Sequence, residues 1–429
     1  MKIKFNPKRI PAIFIYIQLI YVCIVRLLID FGCPGSLTLV CDVINLVLFI
    51  FLIQKIGKTK QTIGRCKAIS IFYFLIMIFG FFSAIAYGFN IILWIWSIRN
   101  FGRFFVFFIA CCTFLEEKDF KKIKKVIIKL GAINWILAML QFWVLGYRGD
   151  YIGGLFGTTG GVANTWLNSF LIVLICIQFS EFFVGECNFG KMILTLMGTI
   201  SITVIAELKF LYIEIAIALI ICIIATQKTK KILEKVIVIL LGFVIVVLLS
   251  IPILYKLFPM FGNFFSFEML YKTATGSYTG QGDLGRLTAI PTIITDIFNG
   301  NIFSSLFGIG MGNAEYSGEQ TIFQSPFYLK YMYTNYFWFT DAVVMIQTGL
   351  VGVICYMGTF VSIIKSAWHN VKTNVHFSEI FLNCVSLAVL ALLLFIYNIA
   401  LNTESAYIIY IILSFGVIAK KKKTYEVEN

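Results

Sequence analysis

Long unbroken runs of apolar residues constrain this chain more than any other feature. Of its 429 residues, 60% are hydrophobic and only 13% are charged, whereas soluble domains average about 45–50% apolar and about 25% charged residues. A helix that crosses the hydrocarbon core needs about 17–25 mostly apolar residues, and runs of that length recur along the chain. The sequence therefore excludes a soluble enzyme and predicts an all-α polytopic membrane protein.

The apolar runs predict about twelve transmembrane helices in three regions. Residues 1–255 hold nine spans joined by short loops, residues 256–340 form one large outer loop with short helices such as 285–299, and residues 341–429 hold three spans and a basic tail. The predicted spans are 10–29, 37–54, 68–87, 91–115, 126–146, 163–180, 191–206, 210–226, 236–255, 341–364, 379–400 and 404–419.

The placement of positive charge predicts the orientation. Of the 35 Lys and Arg residues, 26 fall in alternate segments that include both termini, six fall in the opposite segments and three lie within spans. Cytoplasmic loops carry the excess of Lys and Arg, so both termini should be cytoplasmic. The net charge of +14 then reports topology, and no nucleic-acid partner is expected.

Cysteine and histidine usage predicts neither a disulfide scaffold nor a metal site. None of the eleven cysteines lies between 256 and 340, the only outer segment long enough to need cross-linking. The two histidines fall in one predicted cytoplasmic loop, and no His and Cys residues have the spacing of metal ligands. No cofactor is expected.

Charged residues at or near the predicted outer face are candidate site residues. Arg99 and Arg103 lie one helical turn apart inside a span, where each charge costs about 2.5–3.5 kcal/mol. They are expected either to bind an anionic phosphate or to pair with Asp42, Glu207 or Glu214. The turn between spans seven and eight offers Glu207 as a base and Lys209 as a phosphate ligand, or is a self-paired surface turn. Arg148 opens an outer loop with six glycines in residues 147–162.

The large outer loop carries the strongest motif. Glycines precede Arg286, and about twenty residues later glycines alternate in the run that ends with Gly308, Gly310, Gly312 and Asn313. Alternate glycines allow close backbone approach and expose amide donors, which suits an anionic or sugar ligand. The run is neither a dinucleotide fingerprint nor a Walker loop, so the substrate is expected to bring its own activation energy.

These residues resemble the bacterial O-antigen polymerase and ligase superfamily. The resemblance covers the plan of ten to twelve spans with one late outer loop, the glycine-flanked Arg286, the run 306–313, and residues 348–352 at the start of the next span. It implies a GT-C-like membrane fold. It also implies glycan transfer from undecaprenyl diphosphate at the outer face of the bacterial cytoplasmic membrane, without nucleotide sugars or metal.

The resemblance assigns roles to individual residues. Arg286 matches the loop arginine that contacts the diphosphate, and Lys209 stands where ligases commonly place an arginine. Ligases also carry a histidine in the large loop, shortly before the motif at residues 348–352. Residues 334–338 of this chain contain no histidine. The paired arginine and glycine pattern of some polymerases is absent as well, since Thr159 and Ile297 stand eleven residues after Arg148 and Arg286. A divergent polymerase is therefore favoured over a ligase.

The expected chemistry needs a base and a sugar-binding surface. Asp283, Glu315 and Glu207, in that order, are candidate bases for the attacking sugar hydroxyl. Tyr336 and Trp338 offer flat faces for sugar rings, or belong to an interfacial aromatic belt.

The sequence thus favours a polysaccharide polymerase that joins undecaprenyl-diphosphate-linked oligosaccharides, serving as donor and acceptor, at the outer membrane face. The alternatives are a ligase-type glycan transferase and a lipid-linked oligosaccharide flippase. A polymerase would have the lipid bilayer, a flippase and a chain-length regulator as its partners.

The charge asymmetry gives a direct test of topology. Single cysteines at Ser277 and Ser317, in a chain whose native cysteines are replaced, should react with a membrane-impermeant thiol reagent on intact cells, because both positions belong to the predicted outer loop. Labelling at both positions only after lysis would reverse the orientation.

Overall fold

The computed structural model describes residues 9–226, 282–317, 321–373 and 379–427, with isolated positions between 242 and 276. Within these residues the regular structure is helical, without strands. The helices of ten residues or more are α1 Ile10–Asp30, α2 Val40–Gln54, α3 Ile56–Arg65, α4 Lys67–Tyr87, α5 Ile91–Phe114, α6 Glu117–Trp143, α7 Val162–Val184, α8 Phe189–Ile205, α9 Leu211–Thr226, α10 Thr340–Thr373, α11 Glu379–Tyr397 and α12 Ala406–Val427.

Eight helices of the described chain are long and apolar enough to cross a membrane, and α8, α9 and residues 406–419 of α12 form shorter apolar helices. These helices agree with the predicted all-α, multi-pass membrane protein, whereas the count of about twelve spans and the GT-C-like fold stay predictions. The predicted ninth span, 236–255, falls outside the described residues.

Burial separates central helices from peripheral ones. In α7, 89% of an apolar stretch of 18 residues is buried inside the protein. The corresponding share is 28% in the segment 35–54, which includes α2. A helix that is apolar on all sides belongs in the middle of a bundle, and α7 packs against α9, α11 and α12. The outward faces of the peripheral helices carry exposed isoleucines and phenylalanines, as expected where lipid is the solvent.

Helix α6 begins nine residues before the predicted span 126–146. The side chains of Glu116 and Asp119 form a capping box that starts the helix at Glu117. Further along, Lys124 is buried. Two carboxylates compensate its charge there, since its Nζ lies 2.7 Å from Glu181 and 2.8 Å from Glu379. The lysine-rich stretch that was predicted to be a cytoplasmic loop is therefore the first half of helix α6 itself.

Helix α10 is broken at Gly349, which has φ +64° and ψ −168°. The break lies about 13 Å along the helix from Thr340, at 1.5 Å per residue. A Cβ atom at Gly349 would lie 2.4 Å from the backbone of Leu306 and Phe307, and one at Gly308 would lie 2.5 Å from Thr348 N. The break therefore lets the chain entering from the outer loop cross α10 in direct backbone contact.

Residues 309–312 continue between the helices as irregular backbone. The amide of Ile309 donates to Ile346 O at 2.8 Å, that of Gly310 to Gln347 O at 3.1 Å, and that of Met311 to Gly80 O at 2.9 Å. Gly80 lies about 10 Å below the outer end of α4. Non-helical backbone is tolerated at such depth only where it is buried in protein or lines a water-filled cavity, and these hydrogen bonds provide its partners.

Glycine at position 310 is required twice. Its φ is +97°, and an added Cβ would lie 2.1 Å from Ala84 N, an atom of the α4 backbone. Gly310→Ala should destabilise the protein by left-handed strain of about 1–2 kcal/mol plus an overpacking cost of about 1–3 kcal/mol. Gly161→Ala is the matched control, since Gly161 has φ +76° and nothing within 4 Å of its Cβ position. Thermal inactivation in detergent should separate the two variants, and equal stability would contradict the close packing.

Candidate functional site

Four charged residues meet at the end of the bundle that the charge asymmetry predicts to be the outer one, and they form the outer charge cluster: Asp150, Glu207, Lys209 and Arg286. Glu207 and Lys209 come from the turn between α8 and α9, Asp150 from the glycine-rich loop after α6, and Arg286 from the large outer loop. Lys209 Nζ lies 3.5 Å from Glu207 Oε2. Asp150 interacts electrostatically with both Lys209 and Arg286. The fold therefore brings three residues singled out by sequence into one site and adds Asp150.

The turn holds Glu207 in an unusual conformation. Its φ is +54°, a left-handed geometry that L-residues other than Asn and Asp adopt rarely. Lys209 N donates to Glu207 O at 2.8 Å, which closes the turn. A Cβ at Gly149 would lie 2.7 Å from Glu207 Oε1, so a glycine at that position lets the neighbouring loop approach the carboxylate.

Arg286 is oriented by aromatic rings. Its Cζ lies 4.4 Å from the ring centre of Tyr397 at the end of α11. Tyr397 is itself held in place, because its ring stacks on that of Phe210 with ring centres 4.0 Å apart and an interplanar angle of 11°. Stacking fixes the plane of the guanidinium, so Arg286 is held beside the turn that carries Lys209.

The surroundings bring the pKa values of the cluster towards neutrality. Burial raises the pKa of Glu207, against the attraction of Lys209. Burial also raises the pKa of Asp150, against the positive charges of Lys209 and Arg286. The pKa of Lys209 is lowered by burial, with Glu207 acting in the opposite direction. Such a group of cations and weakly acidic carboxylates can bind an anion and accept a proton.

Arg148 lies in the same loop but has a different set of contacts. Its Nη1 donates to Phe142 O at 2.7 Å and to Tyr147 O at 2.8 Å, and its guanidinium lies over the Phe142 ring at 4.2 Å. These contacts satisfy carbonyl groups at the C-terminal end of α6. The side chain thus stabilises the end of α6 and the residues that follow it.

Arg99 and Arg103 belong to a second group, the buried arginine network, which also contains Asp42 and Glu404. Arg99 Nη2 pairs with Asp42 Oδ2. Arg103 Nη1 lies 2.7 Å from Glu404 Oε1, and its Nη2 donates to Asn402 O at 2.6 Å. Both arginines are therefore paired with carboxylates inside the protein. The partner of Arg99 is Asp42, one of the predicted partners, and that of Arg103 is Glu404, which the sequence did not identify. Glu207 lies in the outer charge cluster.

Glu315 lies next to this network and is fully buried. Its Oε2 accepts from Asn100 Nδ2 at 2.7 Å and its Oε1 from Gln347 Nε2 at 3.1 Å. The same glutamine accepts from Ser97 Oγ at 2.7 Å and from Gly312 N at 3.2 Å. The carboxylate therefore ties the irregular segment to α5 and α10. Glu214 is also buried, and accepts from Asn168 Nδ2 at 3.3 Å.

The alternating glycines of the motif are engaged within the protein. The amides of Gly310 and Gly312 donate to Gln347, and Asn313 Nδ2 donates to Ile309 O at 2.7 Å. The expected close backbone approach is present, but the partners are α4, α5 and α10, since Cβ atoms at Gly308, Gly310 and Gly312 would meet their backbones.

The remaining predicted residues differ in exposure. Asp283 is buried, and Leu284 N beside it donates to Thr334 O at 2.9 Å. Tyr336 is fully buried and its hydroxyl donates to Ala314 O at 2.9 Å, so its ring belongs to the protein interior. Trp338 is 37% exposed and keeps a surface that a ligand can reach.

Two residues that sequence reasoning missed had weak local signals. Asp150 is the only carboxylate in residues 147–162, and Glu404 is a charge at the predicted start of a span.

Comparison with known proteins found no matching family model and no matching curated protein. The family resemblance therefore rests on the residues that carry it.

The Arg103–Glu404 pair gives a test of the buried arginine network. Arg103→Met should leave Glu404 buried without its partner and cost about 3–5 kcal/mol, whereas the double variant Arg103→Met with Glu404→Gln should recover most of that loss. The measurement is membrane accumulation together with the temperature of inactivation. Lys118→Met is the control, because Lys118 pairs with Glu116 at the surface and should cost about 1 kcal/mol or less. Equal destabilisation of the single and double variants would contradict a structural pair.

Proposed function

We propose that the protein is a polysaccharide polymerase of the bacterial cytoplasmic membrane. It joins undecaprenyl-diphosphate-linked oligosaccharides at the outer face and uses neither a nucleotide sugar nor a metal. The observation that carries the proposal is that Arg286, selected from the large outer loop, lies in one cluster with the turn of Glu207 and Lys209, which was selected separately, and with Asp150.

The cations of the cluster suit a diphosphate leaving group. Transfer breaks the bond between the anomeric carbon and the phosphate oxygen, so negative charge develops on undecaprenyl diphosphate. Preorganised positive groups in a site that excludes water stabilise such charge more than water does. Arg286, held against Tyr397, grips two phosphate oxygens in one plane, and Lys209 supplies a second positive charge from the facing turn.

The carboxylates of the cluster suit proton removal. A hydroxyl of the acceptor sugar attacks the anomeric carbon, its oxygen forms the new glycosidic bond, and its proton passes to a carboxylate. Glu207 and Asp150 are better placed for this step than Asp283 and Glu315, because the latter two are buried whereas Glu207 and Asp150 keep accessible surface. Their raised pKa values bring them closer to the working pH of a base.

A flippase for the same lipid-linked substrate is the second candidate. It is favoured by the break of α10 at Gly349 beside irregular backbone, because discontinuous helices form the substrate sites of many transporters. The two candidates differ in chemistry, since a polymerase releases undecaprenyl diphosphate and lengthens the glycan, whereas a flippase leaves the substrate covalently unchanged.

Arg286 provides the test of the proposed site. Arg286→Ala should lower the polymerisation rate of purified, membrane-reconstituted protein roughly a hundredfold or more, by analogy with the loss of one oxyanion donor. Arg286→Lys should recover only part of the rate, because an ammonium cannot grip two oxygens in one plane.

The matched control is Lys330→Ala, which removes an exposed positive charge from the same loop. It should leave the rate within a few-fold of the parental value, since screened surface charges contribute little. An Arg286→Ala protein that polymerises at the parental rate would remove Arg286 from the mechanism.

A further inference from the structure

The short helix Ile302–Phe307 in the large outer loop presents an apolar face that no part of the described chain covers. Ile302 is 75% exposed, Phe303 47% and Leu306 39%. The opposite face is buried, with Ser304 and Ser305 turned towards the bundle. A helix of this kind in water would expose three large apolar side chains side by side, which a soluble surface rarely does.

The helix packs against the outer half of α4. Ser304 Oγ hydrogen-bonds to Tyr87 OH, Ser83 Oγ donates to Phe307 O at 2.9 Å, and the Phe307 ring stacks on Phe79 with centres 5.4 Å apart. Ser83 and Phe79 lie about 6 Å and 12 Å below the outer end of α4, at 1.5 Å per residue. The short helix therefore descends from the level of Tyr87 to a depth of about 10 Å.

Helix α4, which the short helix contacts, is a candidate membrane span with a lipid-facing side of its own. On α4 a stripe of outward side chains runs along one side of the helix, formed by Phe74, Ile78, Phe82 and Ile85, each at least 46% exposed. The helix Ile302–Phe307 contacts α4 at Phe79, Ser83 and Tyr87, which lie on a different side of α4 from this stripe at 3.6 residues per turn. Half of the hydrocarbon core is about 15 Å thick, so the depth reached by Phe307 falls within the outer leaflet.

We propose that residues 302–313 are a re-entrant segment, in which the face of Ile302, Phe303 and Leu306 contacts the acyl chains of the outer leaflet. The partner is the lipid bilayer itself. The segment after Gly308 then turns inward, where helix carbonyls satisfy its amides as irregular backbone at this depth requires. Residues 302–313 of the large loop thus lie in the membrane. This assignment does not depend on the proposed enzymatic function.

Spin-label accessibility tests this assignment. Nitroxides are attached to single cysteines at Ile302 and Leu306, in full-length protein whose native cysteines are replaced, and reconstituted in lipid nanodiscs. Collision rates with oxygen, which partitions into lipid, and with a water-soluble nickel chelate are compared. Phe82 serves as the lipid reference and the exposed Asp296 as the water reference. We expect Ile302 and Leu306 to match Phe82, with Leu306 the deeper.

A ratio at both positions that matches Asp296 would place the helix in water and overturn the proposal. Low collision with both reagents would show a protein partner on this face and would equally overturn it. If the cysteine-replaced chain does not fold, a photoreactive benzoylphenylalanine at Ile302 in the otherwise native chain gives the same decision. It should cross-link to acyl chains, the buried Ser304 position should not, and absence of a lipid adduct at Ile302 would contradict the assignment.

Discussion

Backbone amides that leave a helix inside a membrane protein must find partners there, because hydrocarbon offers none. Residues 309–312 meet this constraint by donating to carbonyl and side-chain oxygens of α4 and α10. Only glycines allow those backbones to approach so closely. The break of α10 at Gly349, the burial of Glu315 and the course of the large outer loop all depend on this crossing.

The four cations Arg99, Arg103, Lys209 and Arg286 lie in two different settings. Arg99 and Arg103 are paired with carboxylates inside the bundle, where a lone charge would be costly. Lys209 and Arg286 lie beside Glu207 and Asp150 in the outer charge cluster. We infer that the first group holds helices together and that the second carries the chemistry, so the arginines inside the span and the arginine of the loop have different functions.

Local patterns predicted the helical class of the described residues, because a segment that crosses the hydrocarbon core satisfies its own backbone hydrogen bonds as a helix. They also selected Glu207 and Lys209, since charges at a tight turn stand out in so apolar a chain, and Arg286 was selected from its glycine-rich surroundings and the family resemblance. They did not predict Glu404 as the partner of Arg103, because 301 positions separate the two residues. They also left the use of Gly308, Gly310 and Gly312 undecided, since close approach to a ligand and close approach to a helix require the same residue type.

The central claim is that the outer charge cluster lengthens a lipid-linked glycan. The most direct measurement is to supply purified protein in liposomes with undecaprenyl-diphosphate-linked repeat units alone, and to follow both glycan length and the released lipid diphosphate. We expect glycans of many repeats, with one undecaprenyl diphosphate released for each glycosidic bond formed. Repeat units that cross the bilayer or stay in place with their diphosphate bond intact would contradict it.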